Sequence, residues 1–252
     1  MLGSGTSSGV PSIGNDWGRC DSGNPRNRRR RVSIMVEAEG TRLLVDTGPD
    51  LREQLLAADI GWITAVLFTH DHADHCHGID DLRALFHATG VEIDCYMDRH
   101  TRAAMRTRFS YVFAGRHGYP ATANARLLQD RMQFGPITVR PFRQQHGPVH
   151  SMGFRFEGEG AAIAYSTDLS GIPDESWPLL QGLDLWVVDA LRRNPHPTHS
   201  HLDQTLDWIA RAGPKEAWLT HMDHSMDYDE LAAELPPGVT PGWDNRVWGH
   251  HP

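Results

Sequence analysis

An α/β fold is predicted by three features of this 252-residue chain. Segments of strand character alternate with segments of helical spacing from residue 32 into the last quarter, the order that gives sheets covered by helices. The run Ala65-Val66-Leu67-Phe68 is short and continuously apolar, as a strand buried on both faces requires. No repeat of fixed period and no linker interrupts the alternation, so one domain over residues 1–252 is expected, with a length that suits a single large core.

The elements follow in order. Residues 1–31 are rich in Gly, Ser and Asn and end in a run of arginines, leaving at most a very short strand before the glycine loop. Residues 32–38 and 41–45 around Glu39-Gly40 read as a hairpin. Residues 50–58 have helical spacing, with Leu51, Leu55 and Leu56 on one face. After the buried strand at 65–68, a helix is predicted over 80–88, a strand over 91–97 and a helix over 101–108. Periodicity is weak from 109 to 125, which reads as a long surface loop. Strands are expected at 137–142, 153–156, 162–165 and 185–188, a helix at 202–212, a strand at 216–219 and a short helix near 229–235. The eight tryptophans are mostly core candidates.

Composition narrows the class. Apolar residues at 39% and charged residues at 22% are ordinary for a globular chain and too apolar for a disordered one. A net charge of −8 and a pI near 6.0 disfavour bulk nucleic-acid binding as the main task. No apolar run reaches the roughly 18 residues that would span a bilayer, and no secretory signal is evident at the start. Cys20, Cys76 and Cys95 lie far apart without a CxxC, so a reducing, cytoplasmic setting is expected. Against this ordinary background, 16 histidines are an excess that points to a site.

The sharpest local signal is His70-Asp71-His72-Ala73-Asp74-His75, directly after the buried strand. Chance occurrence of this HxHxDH pattern in such a chain is on the order of 0.005, so a polar turn on a His-rich chain is the weaker reading. His70 and His72 can chelate one ion, while Asp74 and His75 on the next turn can serve a second. Further candidates each lie just past an apolar segment: His146, Asp168 and His221. Strand ends are where an α/β sheet presents functional side chains. Together the seven suit two divalent ions, Zn²⁺ or Mn²⁺, sharing one carboxylate.

With these residues in view, the chain resembles the metallo-β-lactamase superfamily of hydrolases over essentially its whole length. Asp46 in LLVDTG matches that superfamily's first motif, and His70/His72/Asp74/His75, His146, Asp168 and His221 match the others. The resemblance implies an αββα sandwich with two mixed sheets. It also implies that His70, His72 and His146 hold one metal, that Asp74, His75 and His221 hold the other, and that Asp168 bridges them. Asp46 would then orient ligands by hydrogen bonds. GSGTSSGVP, NPRNRRRRVS, GIDDLR, NPHPTH and LTHMDH resemble the branch containing the phosphoribosyl cyclic-phosphate phosphodiesterase of the carbon–phosphorus lyase pathway. In that branch a histidine outside the metal set acts on the substrate, and His199 or its neighbour His201 occupies that place here.

The implied function is hydrolysis of a small phosphodiester, cyclic or nucleotide-like, with Asp168 and His199 catalytic. The alternatives are a tRNA 3′-processing-type endoribonuclease and a non-catalytic metal-bound sensor on the same fold. No membrane partner is expected, and a homodimer is left open. The branch also implies a structural zinc on a CxCxxC and a late histidine. The matching positions are Asn15, Trp17, Cys20 and His224, so no structural zinc is expected and Trp17 is predicted to be buried in its place. The arginines from Arg26 to Arg31 either attract an anionic substrate or merely solvate a strand start. The Gly3–Gly9 loop either cradles phosphate or makes a tight crossing. Surface or structural roles are expected for His77, His87, His100, His117, His150, His250 and His251, and for Cys76 an inert buried thiol.

Overall fold

A computed structural model describes residues 1–249; His250 and His251 lie outside the described residues. The first sheet is built from β1 (Ile34–Ala38), β2 (Thr41–Val45), β3 (Ala65–Leu67), β4 (Ile93–Met97) and β5 (Ala123–Leu127), in sequence order. β1 and β2 pair as an antiparallel hairpin, and the other pairs are parallel. Its crossovers carry α1 (Leu51–Ala57), α2 (Ala73–Cys76), α3 (Leu82–Thr89), α4 (Arg99–Arg108) and α5 (Ser110–Ala114). The second sheet comprises β6 (Met132–Phe134), β7 (Ile137–His146), β8 (Val149–Gly158), β9 (Ala161–Ser166), β10 (Leu185–Asp189), β11 (Glu216–Thr220) and β12 (Val239–Pro241), running 12-11-10-9-8-7-6. It is antiparallel from β6 to β9 and parallel from β9 to β12, with α6 (Leu202–Ala212) and α7 (Tyr228–Glu234) in its crossovers.

Alternation along the strands assigns the layers. Leu43, Val45, Ala65 and Leu67 pack with Val139, Phe154, Tyr165, Val187 and Trp218 between the two sheets. Their neighbours Leu44 and Val66 point the other way, onto Leu51, Leu82 and Met105 of the helices. The second sheet does the same, Trp186, Val188 and Leu219 meeting Leu202, Ile209 and Leu231. Successive side chains on a strand face opposite sides, so these strands are apolar throughout and helices must cover each outer face. The result is two mixed sheets flanked by helices, the αββα arrangement.

Several elements depart from the sequence expectation. The stretch 109–125 is not a surface loop: it contains α5, whose Val112 is buried against the first sheet, and the start of β5. β7 and β8 run on to His146 and from Val149, forming one long hairpin. α2, β6 and β12 carry too few residues to show a period. Of the tryptophans, only Trp177, Trp186 and Trp218 are core-buried. Residues 1–12 form isolated bridges rather than a strand, Gly5 pairing with both Arg31 and Met222. A Cβ on Gly5 would lie 2.8 Å from Arg29 Cβ, so this loop is a tight crossing that only glycine permits. No helix among the described residues is long and apolar enough to cross a membrane.

Candidate metal centre and active site

The candidate residues converge at the C-terminal ends of the parallel strands. β2 runs into Asp46, β3 into His70, β9 into Asp168 and β11 into His221, while β7 ends on His146. Asp46, Asp168 and His221 all have left-handed backbone, with φ of 63°, 55° and 58°. This conformation is uncommon away from glycine and turns each chain sharply as it leaves its strand.

Asp46 is fully buried and its carboxylate is committed on both sides. Oδ1 accepts from the Thr69 N–H at 2.8 Å, and Oδ2 accepts from the Thr69 hydroxyl and lies 2.8 Å from His75 Nδ1. With that nitrogen donating to Asp46, the lone pair of His75 Nε2 faces the centre. The Thr69 hydroxyl also lies 3.0 Å from His70 Nδ1. His146 Nδ1 donates to the Thr198 carbonyl at 2.8 Å, which aims its Nε2 inward.

Two groups result. His70, His72, His146 and Asp168 form one, and Asp74, His75, Asp168 and His221 the other, each with donor atoms within 4.8 Å of one another. Asp168 belongs to both through different oxygens. Its Oδ1 lies 3.9 Å from His70 Nε2 and 3.7 Å from His146 Nε2, whereas Oδ2 lies 3.0 Å from His75 Nε2 and 3.3 Å from His221 Nε2. Yet the Nε2 atoms of His70, His75 and His221 are buried without an aligned hydrogen bond. Orphaned buried nitrogens are costly. Lone pairs that crowd together without pointing at one another suit a cation between them, so the donor set fits divalent metal ions.

The electrostatics agree. Burial pushes Asp168 up, but His221 and His75 overcome it and hold the carboxyl well below its ordinary range. Asp74 behaves likewise, burial being outweighed by His75 and His221. Burial pushes His221 down, yet Asp168 and Asp74 raise it to about 9, and His75 is raised by the same carboxylates and Asp46. His70 and His146 are lowered, chiefly by burial. Ionised carboxylates are thus held in the interior by positive charge on their neighbours, a role that metal cations fill.

His199 stands at the edge of the second group. Its ring stacks on His221 at 4.8 Å, Nδ1 lies 3.1 Å from Asp189 Oδ2, and Nε2 lies 3.8 Å from Asp168 Oδ1. His201 instead occupies the N-cap position of α6, bridged to Arg192. Sequence reading missed Asp189, fully buried at the end of β10, although it follows an apolar run just as His146 and His221 do. Asp189, His199 and His221 also cluster closely, but Asp189 already holds His199, so this group reads as a hydrogen-bonded pair. The residues enclose a cavity of about 470 Å³ lined by Ser7, His72, Asp74, His146, Asp168, Thr198 and His199 among others. A second cavity, of about 240 Å³, opens at the opposite ends of the strands and is lined by apolar residues such as Ile34, Phe156 and Trp218.

A model of the beta-lactamase superfamily domain matches residues 41–222, from β2 through the His221 turn. The chain belongs to the metallo-β-lactamase superfamily. Similar to it over 99% of its length and 96% of the other's is the crystal structure of a new diphosphatase from the PhnP family, 36% identical with a TM-score of 0.90. A curated octanoyltransferase of Porphyromonas gingivalis is 35% identical over 97% of the chain, which spans 50% of that protein. A ribonuclease Z of Bradyrhizobium diazoefficiens is 28% identical over 68% of the chain and 60% of its own length. The chain thus spans about half the length of the curated relatives it matches.

The basic run and the zinc position differ from simple expectation. Arg29 is buried and hydrogen-bonded to the Asp223 and Met226 carbonyls, Arg30 pairs with Asp244, and Arg31 pairs with Asp50 while donating to the Ser7 carbonyl. These three arginines therefore fix the glycine loop rather than face the cavity. Trp17 is not buried: it is half-exposed under the Arg28 guanidinium, 5.0 Å away, with Nε1 donating to Asn15. The 16–20 loop is held instead by main-chain contact, Arg19 N–H donating to the His224 carbonyl at 2.8 Å and Gly18 packing on the His224 ring. Cys76 is buried and its thiol is pushed up to about 12 by burial, which keeps it inert.

Proposed function

We propose that this chain is a dinuclear phosphodiesterase acting on small or chain-terminal phosphate diesters. His70, His72 and His146 would hold one ion, Asp74, His75 and His221 the other, and Asp168 both; zinc and manganese suit these donors. Bound there, such ions lower the pKa of water and neutralise charge on phosphoryl oxygens. The observation that carries the reading is Asp168, with each carboxylate oxygen turned toward a different histidine group.

The chain's own residues supply the rest. Asp46 and the Thr198 carbonyl fix the ring orientations of His75 and His146, so that each Nε2 is aimed into the centre. Asp189 accepts from His199 Nδ1, which leaves Nε2 toward the cavity. From there a protonated His199 can deliver a proton to the departing alkoxide oxygen. The cavity is within the range of small-molecule sites and takes a substrate of nucleotide size. Similarity to the PhnP-family diphosphatase supports phosphate chemistry, and that to ribonuclease Z supports a diester. The buried free cysteines support placement in the cytoplasm.

The test joins metal analysis to turnover on one preparation. About two transition-metal ions per chain are expected, with hydrolysis of bis(p-nitrophenyl) phosphate. Metal without turnover on any diester would point to a sensor. Cleavage of precursor tRNA in preference to small cyclic diesters would transfer the reading to the endoribonuclease alternative.

A further inference from the structure

Charge in this chain is distributed unevenly. Residues 99–129 contain six arginines and no Asp or Glu, so within a net charge of −8 the remaining residues carry −14. The arginines concentrate on α4. Arg99, Arg102 and Arg106 follow i, i+3, i+7 spacing and share one face, while Thr101 and Met105 are buried on the other. Arg99, Arg106 and Arg116 are exposed and make no ion pair among the described residues, and Arg102 Nε is buried without a hydrogen-bond partner. Surface arginines left unpaired in an acidic protein are available to an external anion.

The placement of this face relative to the metal centre is specific. Arg108 donates to both the backbone carbonyl and the carboxylate of Asp71, the residue between His70 and His72. At the other end, Asp98 caps α4 and accepts from His150 at 2.6 Å, next to Val149 of the cavity wall. The helix therefore runs along the rim of the site. From Arg99 to Arg106 the stripe extends about 10 Å at 1.5 Å per residue, longer than one phosphate. Beyond it, exposed Tyr111 and Tyr119 line a cavity of about 220 Å³ together with Arg83, Arg116, His117 and a single carboxylate, Asp80. Spaced cations beside exposed aromatic side chains, with Arg83 over one face of Tyr119, match a strand whose phosphates repeat and whose bases are unstacked.

We propose that α4 and the segment from α5 to β5 form a docking surface for single-stranded nucleic acid, leading one end of the strand to the metal centre. The inference rests on the diesterase reading for the fate of that end, but binding itself is independent of it. Net charge disfavours nucleic acid for the molecule as a whole; the local field at this rim has the opposite sign.

Binding of a fluorescent oligothymidylate of about 12 nucleotides to the metal-loaded protein is measured by anisotropy across a salt series. The triple variant Arg99→Gln, Arg106→Gln, Arg116→Gln is compared with a control of equal charge change, Arg19→Gln, Arg52→Gln, Arg140→Gln. The α4 triple is expected to weaken binding by roughly tenfold or more and to reduce the salt slope by about 2, at about 0.7 per phosphate contact. The control keeps both, and all proteins hydrolyse bis(p-nitrophenyl) phosphate alike. The proposal is overturned if the wild type does not bind the oligonucleotide, if duplex or inorganic polyphosphate binds equally well, or if the control triple loses as much. Binding without diester hydrolysis in the wild type would preserve the surface and remove the diesterase reading.

Discussion

Asp189 and His199 show how the site is arranged at the scale of single residues. The Asp189 carboxylate, 3.1 Å from Nδ1, fixes the orientation of the ring and leaves Nε2 at the cavity edge. His199→Ala is expected to keep both metals and lose roughly 10²- to 10⁴-fold in turnover. Diesters with good leaving groups should suffer less than those with poor ones. An equal loss on both would mean that the ring stabilises phosphoryl oxygens and transfers no proton. The PHPTH setting leaves His199 and His201 open; the structure places His199 against Asp189 and His221, and His201 at the start of α6. Asp189 was as legible as His221 by the rule of strand ends, but without a motif around it nothing marked its side chain as inward. Thr69, which links Asp46 to His70, is invisible in sequence because a hydroxyl beside a histidine carries no spacing signal.

Elements were readable in proportion to the number of faces they bury. β3 and β10 are covered on both sides and appear as unbroken apolar runs, and α6 buries one clear stripe. β6 and β12 are three-residue edge strands with no alternation to read, and α2 is a single turn that carries Asp74 and His75. The Trp17 expectation failed because the loop is tied down elsewhere: the Arg19 N–H donates to the His224 carbonyl and Gly18 packs on the His224 ring, so the indole is left partly exposed. α7 offers a sharper energetic test. Asp227 caps it through the Asp229 and Glu230 N–H groups and also accepts from Asn27 and the Asp21 N–H. Burial raises its pKa, but these donors overcome it and hold it below the ordinary value. A carboxyl depressed on folding adds stability above its unfolded pKa near 3.9, and that contribution disappears as pH falls through the folded value. Asp227→Ala should therefore cost about 1–2 kcal/mol at neutral pH. In urea titrations the gap to wild type should narrow below about pH 4. A gap independent of pH would assign the cost to packing.

At the scale of the molecule, the first sheet lies wholly before residue 128 and the second wholly after residue 131, and the candidate donors divide between them. His70, His72, Asp74 and His75 come from one half; His146, Asp168 and His221 come from the other. Metal ions held there fasten the halves together, so chelation should lower the Tm. A metal at 100 times its Kd contributes about 2.7 kcal/mol, and each kcal/mol is worth about 2–4 °C at this size. Calorimetry with and without chelator measures it; an unchanged Tm would mean that the seam holds by packing alone. Asp168→Ala should lose both ions together, and retention of two would remove the bridge. Acid should weaken binding as well. His221, at about 9, and His75, also raised, must each shed a proton to coordinate. Apparent zinc affinity should fall steadily as pH drops from about 9 to 6, with protons released on binding, and a flat profile would place these rings outside the coordination sphere. The crossing at Gly5 adds a matter of timing. Ser4 binds Asp244, 240 residues away, and Gly5 bridges Arg31 to Met222. Contacts of such separation form slowly beside helices and hairpins. On the ribosome the first sheet can be complete while the strand that bears His221 is still unmade. The candidate metal centre is then among the last features to assemble, and a chain halted short of His221 carries the HxHxDH sequence without its full donor set.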